Sequence, residues 1–568
     1  MRITFFAFLF ITSFFYAQEN HPKDYFVSPL EVPLHLSGSF GELRNNHFHS
    51  GLDFKTQQKE GLRVLASADG YVSRIKVSPW GYGKAIYITH PNGYTSVYAH
   101  LQKYAPEIEE YVKRGQYIKK SFEIEFFPNA SELKVKQGQL IAFSGNSGGS
   151  GGPHLHFEIR DSKTENIINP LYFGFDKLIT DTKKPVINNV YVYPLSENSH
   201  ANNSEKATAV TLSLQKDGNY LAQTVLADGK IGFGINTYDT FNYNYNKNGI
   251  YKIETFLNGT PEFGITFNEF AFAESRYINA YIDYEKLSKQ KKRVQKVFIE
   301  NKYPLSLISS NKKTGIIDIT QNVSYTYKIK VSDYHSNKAE IIIPVKHTTD
   351  LPKIKKAKAK TGYVLKSKVE NLYEKDHVSV YVAPNTFYQD FDLEFDVNNG
   401  ILTFADDTVP VHKNYTITFK DTDIPSNLRS KTYIASLEGN SKKYNKTYVS
   451  RGSFKTYTRN TGKFALAQDT IAPTVKPVNF TQGKWISNEK DLRVMIDDKD
   501  SGINTYNAYL NETWILMEYD YKKKLLVHDF ADGKVGEGKN DLRLIVTDNV
   551  GNATTFETHF FRSQKPRE

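Results

Sequence analysis

The sequence predicts a mostly β protein of several domains, on three observations. Tyr (38) and Phe (37) are abundant while Met is 3, and aromatic and β-branched residues suit pleated, half-buried surfaces. Short apolar runs alternate with glycine turns over residues 60–101, the pattern of strands joined by hairpins. Two distant stretches resemble each other: "DTKKPVINNVYVYP" (181–194) and "DTIAPTVKPVNFTQ" (469–482) both open D-T-x-x-P. At 568 residues the chain is too long for one core, and about 150 residues per domain gives three or four domains.

Taken in order, the elements begin with "MRITFFAFLFITSFFYAQEN". Arg2 is a positive n-region, Ile3 to Tyr16 is a short apolar run, and Ala17 is a small residue before a cut at Gln18. This reads as a secretory signal peptide over 1–17, shorter than a membrane span. Next, "LRVLASADGYVSRIKV", "GYGKAIYITH" and "NGYTSVYAHL" read as strands punctuated by Gly70, Gly81, Gly83 and Gly93. The charged, aromatic segment 105–135 interrupts them, either as a functional insertion or as a peripheral β-hairpin. Strands resume at "KQGQLIAFSG" and end at "HLHFEIRD".

From Asp181 onward the repeat takes over. "YKIKVSDYHSNKAEIIIPV" (327–345) and "LRLIVTDNVGNATTFETHF" (542–560) each show a strand, an Asp, a turn with Asn and a second strand. The repeat predicts related Ig-like β-sandwiches at 181–350 and 469–563. Residues 351–468 open with a basic linker and continue as a β domain of uncertain type. "DDKDSGI" (497–503) is an Asp-rich turn, read as solvated in preference to a calcium site.

The bulk numbers exclude several classes. No cysteine is present, so disulfides, thiolate metal sites and a lipid-modified N-terminal cysteine are excluded. The net charge of +11 is mild at this length. It suits a soluble basic surface or an anionic wall polymer, and no Lys/Arg run is dense enough for nucleic acid. No segment after the signal approaches 18 apolar residues, so the mature chain is expected to have no transmembrane segment.

The chemistry centres on "SGGSGGPHLHFEIRD" (147–161). Its first seven residues hold four glycines, and His154 and His156 follow at i and i+2 of a strand, sharing one face. Two such imidazoles bind one metal together, or one binds while the other moves protons. Upstream, "NNHFHSGLDFKT" (45–56) supplies His49 and Asp53 at i and i+4. His49, Asp53 and one more histidine make a three-ligand zinc set with a fourth position left for water. That leaves one histidine of the pair, and His100 of "SVYAHL", for proton transfer and oxyanion stabilisation. His47 reads as a wall or surface residue in preference to a substitute ligand, His90 as a turn residue, and Glu158 as an ordinary strand residue in preference to a partner of His156. No H-E-x-x-H pattern occurs, so the usual zincin base is absent. The loop glycines 148, 149, 151 and 152 let a substrate backbone approach closely.

Four segments that agree in chain order, "HSGLDF", "VLASADGYV", "YAHL" and "GNSGGSGGPHLHFEIR", resemble the lysostaphin-type zinc metallopeptidases, which cleave stem or cross-bridge peptides of peptidoglycan. The resemblance covers roughly residues 35–172. It implies an antiparallel β domain of the duplicated hybrid motif type with an open cleft, placed at 18–175 with an insertion at 105–135. It implies His49, Asp53 and His156 as ligands of one Zn2+ per chain, and His100 and His154 as catalytic residues. It implies a zinc metalloendopeptidase acting on peptidoglycan peptides, and the signal peptide sends it to the periplasm, the envelope or outside the cell. The Tyr/Phe-rich C-terminal β modules read as core-forming in preference to adhesion or docking units with a wall or protein partner. The alternative is a catalytically silent relative that binds the wall or activates another hydrolase. Such relatives typically lose a ligand, and here all five key residues are present.

Overall fold

The computed structural model describes residues 21–563 except 244, 310–312, 356–361 and 421–422. The signal-peptide segment 1–17 lies outside the described residues. Strands dominate throughout, as expected.

The first region is built on one large sheet. Its path runs β1 (Leu36–Gly38), β2 (Leu52–Lys55), β11 (His154–Asp161), β6 (Tyr94–Leu101), β5 (Lys84–Thr89), β4 (Gly70–Val77) and β8 (Ile124–Phe126). A small sheet of β3 (Arg63–Leu65), β10 (Leu140–Phe143) and β7 (Lys103–Tyr104) accompanies it. The pleat divides β11 cleanly. Leu155, Phe157 and Ile159 face the main core with Tyr98, Ile86 and Ile88. His154, His156, Glu158 and Arg160 alternate with them on the opposite face. Ala99, Val97, Tyr87 and Ala85 share that second face.

Segment 105–135 is not a β-hairpin. It opens with α1 (Pro106–Lys119), followed by β8 and by β9 (Lys134–Val135), both paired to β4. Pro106 sits at the helix start, Glu107 and Glu109 in the first turn and Lys119 in the last, which suits the helix dipole. Only Ile108, Val112 and Gln116 are buried, a stripe ending in a polar residue, so the helical period is faint in the sequence. Gly115 is required inside α1, since a Cβ there would lie 2.2 Å from the Phe126 ring.

His90 is buried as well as in a turn. Asp69 O lies 2.8 Å from its Nδ1 and Ser96 Oγ 2.7 Å from its Nε2. Burial lowers its pKa to about 4, more than the Asp69 carbonyl raises it. Below an unfolded value near 6.5 the unfolded chain binds the extra proton, so stability is lost as pH falls from 6.5 to about 4. The whole effect is about 3 kcal/mol. In urea titrations across this range, His90→Gln should flatten the slope by up to one proton; an unchanged slope counts against this role.

The downstream regions are three further β assemblies. In 186–347 the strand Val225–Tyr238 pairs antiparallel with Val186–Pro194 along one part and parallel with Lys338–His347 along another, joining two sheets. Glu269–Phe270 adds to the edge of the first region through Ile167–Ile168. One hydrophobic cluster runs through both regions. Two five-stranded sheets with their own core follow in 371–468. Two four-stranded sheets enclose another core in 474–562. The predicted hairpins Ser324–Ser332/Lys338–His347 and Gly538–Asp548/Ala553–Arg562 are both present.

Candidate metal centre and active site

Three strands bring the candidate ligands together. Asp53 on β2 pairs across the sheet with His156 on β11, and His156 pairs with Ala99 on β6. His49 lies just before β2. Gly51 is dictated by packing, because a Cβ there would sit 2.3 Å from the Phe157 carbonyl oxygen. Close approach of the two segments, more than a bend, explains the glycine of H-x-G-x-D.

The hydrogen bonds around the ligands fix what points inward. Ser39 O is 2.7 Å from His49 Nδ1 and accepts its proton, so Nε2 of the neutral ring presents a lone pair. Glu158 Oε1 is 2.8 Å from His156 Nε2 and accepts its proton, so in the neutral ring Nδ1 presents a lone pair; burial opposes a second proton there, but the Asp53 and Glu158 carboxylates outweigh it and raise the pKa to about 9, so a bound cation takes that proton's place. The third inward atom is Asp53 Oδ1, while Asp53 Oδ2 accepts from Arg44 Nη2 at 3.1 Å. The inward atoms lie 3.0 Å (His49–Asp53), 3.1 Å (His49–His156) and 2.9 Å (His156–Asp53) apart. Three acceptors this close, all buried, repel one another unless a cation bridges them. Two imidazoles and a carboxylate are the donor set of a catalytic zinc, and the residues present fit that ion.

Behind His156 runs a buried relay. Glu158 accepts from His156, from Ser50 Oγ at 2.6 Å, from the Tyr82 hydroxyl and from Arg160 Nε at 2.7 Å. Burial raises the Glu158 pKa, but the Arg160 charge and the hydrogen bonds of His156 and Ser50 outweigh it and hold the carboxyl well below the ordinary range. The Tyr82 ring stacks on His156 at 5.3 Å. Glu158 is therefore a partner of the site, contrary to the ordinary-strand reading. Its signal was available: His156, Glu158 and Arg160 are spaced i, i+2, i+4 on one strand face. Nothing in the sequence pointed to Arg44, Ser39, Ser50 or Tyr82.

His100 and His154 flank the ligands. Their ring centroids are 4.8 Å apart, and His100 is 5.8 Å from His156. Ser147 O accepts from His100 Nδ1 at 2.9 Å, and Gly152 O from His154 Nδ1 at 2.8 Å. His154 Nε2 lies 3.4 Å from Asp53 Oδ1. Burial, reinforced by the charges of His154 and His156, lowers the His100 pKa to about 3. His100 also adopts φ 59°, a left-handed conformation unusual for a residue with a Cβ. Regular alternation along β6 would send His100 to the core face with Tyr98. The left-handed turn, held by His100 N–H to Tyr82 O at 2.9 Å, puts it among the site imidazoles instead. His47 is not among the converging atoms; its Nδ1 lies 2.9 Å from Asn45 O.

The loop 146–152 has two parts. Gly148 (φ 69°) packs on the 81–83 turn, where a Cβ would meet Gly83 N at 2.3 Å, whereas Gly151 and Gly152 face open space. The last β region docks here. Lys522 Nζ donates to Asn146 O (2.5 Å) and Ser150 O (3.0 Å), and Tyr521 packs on Trp80 at 4.0 Å. Lys84 Nζ pairs with Glu518 at 2.8 Å. On α1, Lys113 and Tyr117 both bond Asp532, at 2.5 and 2.8 Å. Segment 105–135 thus serves as a platform for the C-terminal region.

The family model described as Peptidase family M23 matches residues 47–125 and 129–170, a span that contains all five site residues. The chain carries a peptidase family M23 domain. A Zu5-like domain model matches 362–469, over the segment read above as a linker and a β domain of uncertain type. An "Uncharacterized metalloprotease" of Haemophilus influenzae is 33% identical over 149 residues, 25% of this chain and 26% of that protein. "DD-carboxypeptidase/endopeptidase Mpg" of Neisseria meningitidis serogroup B is 33% identical over 139 residues, 24% of this chain and 26% of that protein. The catalytic domain of lysostaphin from Staphylococcus simulans is 25% identical, covering 24% of this chain and 87% of that domain, with a TM-score of 0.18. The chain spans about a quarter of the length of these two curated relatives. Among the described residues, no helix of the M23-bearing chain is long and apolar enough to cross a membrane.

Proposed function

We propose that the protein is a zinc-dependent endopeptidase that hydrolyses amide bonds in the stem or cross-bridge peptides of peptidoglycan. The observation that carries this reading is the convergence of three lone pairs, from His49, Asp53 and His156, beside two further imidazoles. Relatives named as peptidoglycan DD-endopeptidases, such as ShyA of Vibrio cholerae at 35% identity over 111 residues, support the substrate class. The alternative, a silent wall-binding or hydrolase-activating relative, has against it the intact set of five residues.

Zinc held by the triad would supply a polarised scissile carbonyl and an acidified water. The chain's own groups do the rest. His154 Nε2 is the ring atom left free by the Gly152 carbonyl, and it faces the centre 3.4 Å from Asp53 Oδ1, where it can exchange a proton with the water. His100 is neutral, and its Nδ1–H is fixed on Ser147, so Nε2 is free for proton exchange with the leaving amine. Glu158 and Arg44 orient His156 and Asp53 without touching substrate.

We also infer the limits of the parts: a signal peptide at 1–17, a peptidase domain at 18–175 with an insertion at 105–135, Ig-like modules at 181–350 and 469–563, and a linker with the Zu5-like region between. Export across the inner membrane to the envelope follows from the signal peptide.

The test is digestion of purified peptidoglycan by residues 18–568, with mass analysis of the released peptides to name the bond. His100→Ala and His154→Ala are each expected to keep one zinc and to lower kcat by about 10²–10⁴-fold. Loss of zinc from either variant would make that residue a ligand, and unchanged kcat would remove it from the proton-transfer step.

A further inference from the structure

The repeated D-T-x-x-P motif does more than mark a module start. Its Asp181 converges with Asp239, at the end of Val225–Tyr238, and Asp333, at the end of Ser324–Ser332. Their carboxylate oxygens lie within 4.8 Å of one another and all three residues are buried. Asp469, Asp498 and Asp548 form the same arrangement in the last module. The supporting bonds repeat too. Asn337 donates through Nδ2 to Asp333 (2.7 Å) and to Asp181 O (3.3 Å), as Asn552 does to Asp548 (2.7 Å) and Asp469 O (3.0 Å). Lys183 N and Ile471 N each bond the first Asp at 3.0 Å.

The two clusters differ in one respect. In the second, both oxygens of Asp469 accept a backbone N–H, from Ile471 and Ser501. In the first, Asp181 Oδ2 and Asp239 Oδ1 are buried with no hydrogen-bond partner, and Asp239 is only 1% exposed. Among the described residues none of the three carboxylates forms an ion pair. Buried, unpaired carboxylates at this spacing are strongly unfavourable without a positive charge among them.

We propose that Asp181, Asp239 and Asp333 bind a calcium ion, which clamps the first β module to the end of the M23 domain. Three carboxylates with no nitrogen or sulfur donor select a hard cation. Calcium, with bonds of about 2.3–2.6 Å, bridges such a span and takes waters in its other positions, whereas magnesium demands a tighter octahedron. The remaining alternative is proton sharing: burial and the charges of Asp181 and Asp333 push Asp239 up to about 8. The clamp's position follows from its neighbours. Asp181 begins just after the turn Phe175–Leu178, and beside Asp333 the Tyr334 ring packs on Tyr172 at 5.4 Å.

The experiment is calcium titration of residues 18–568 with zinc present, by calorimetry and by thermal unfolding. Asp239→Asn, Asp498→Asn and His156→Ala are run alongside. At a hundredfold excess over Kd, calcium should raise the unfolding midpoint by about 5 °C or more, and magnesium far less. Asp239→Asn should abolish that response, while Asp498→Asn and His156→Ala keep it. The His156→Ala arm separates this site from the zinc centre. Absence of calcium binding to the wild type overturns the proposal in favour of shared protons. An equal response to magnesium, or loss of the response only in Asp498→Asn, overturns it as well. Should Asp239→Asn not fold, calcium stoichiometry on the wild type, with and without Asp498→Asn, still decides.

Discussion

Replacing His156 by alanine in residues 18–568 is expected to remove both bound zinc and hydrolysis. His156 supplies one of three inward atoms spaced 2.9–3.1 Å apart. With it gone, the remaining pair is one imidazole and one carboxylate, too few for a catalytic zinc. Zinc per chain should fall from about one to near zero. The kcat/KM on peptidoglycan peptides should fall by more than about 10³-fold, or about 4 kcal/mol of transition-state stabilisation. The variant should remain folded, because Leu155 and Phe157 beside it still fill the core. Wild type that binds zinc yet releases nothing from several wall types would favour the silent, regulatory reading. Wild type that binds no zinc would refute the ligand assignment.

Glu158→Gln is expected to act on stability and metal together. The glutamine amide keeps the volume but faces the donors of His156, Ser50, Tyr82 and Arg160, and one oxygen cannot accept them all. Arg160 is left buried with its main counter-charge gone; its other partner, Glu165 at 3.2 Å, is largely exposed. Breaking a buried ion pair from one side costs about 3–5 kcal/mol. Because His156 loses the carboxylate that sets its ring orientation, zinc affinity should fall about 10–100-fold. Calorimetry and chelator competition read the two effects separately. Unchanged values in both would return Glu158 to an ordinary strand residue.

The sequence alone determined more of the site than of its support. His49, Asp53, His154 and His156 were legible from their spacing within short segments, which survives without knowledge of the fold; His100 was a candidate by residue type and its segment, and no spacing rule placed it. The two closing hairpins were legible for the same reason: strand alternation and an Asn-containing turn are local signals. The helix Pro106–Lys119 was not, since its apolar stripe is two residues long and ends in Gln116. The convergence of Asp498, in the Asp-rich turn at 497–503, with Asp469 and Asp548 was not legible either, because those partners are 29 and 50 residues away.

What only the tertiary structure decided concerns direction and long-range contact. Periodicity places His100 on the core face of its strand, and a single left-handed backbone angle turns it to the candidate metal centre. Arg44, Ser39 and Tyr82 reach the ligands through contacts between segments that share no spacing rule. The docking of Lys522 on the loop before His154 joins positions more than 370 residues apart. Local patterns encode which side chains can do the chemistry. Which way they point, and what holds them there, depends on the packing of distant strands, which no short-range signal carries.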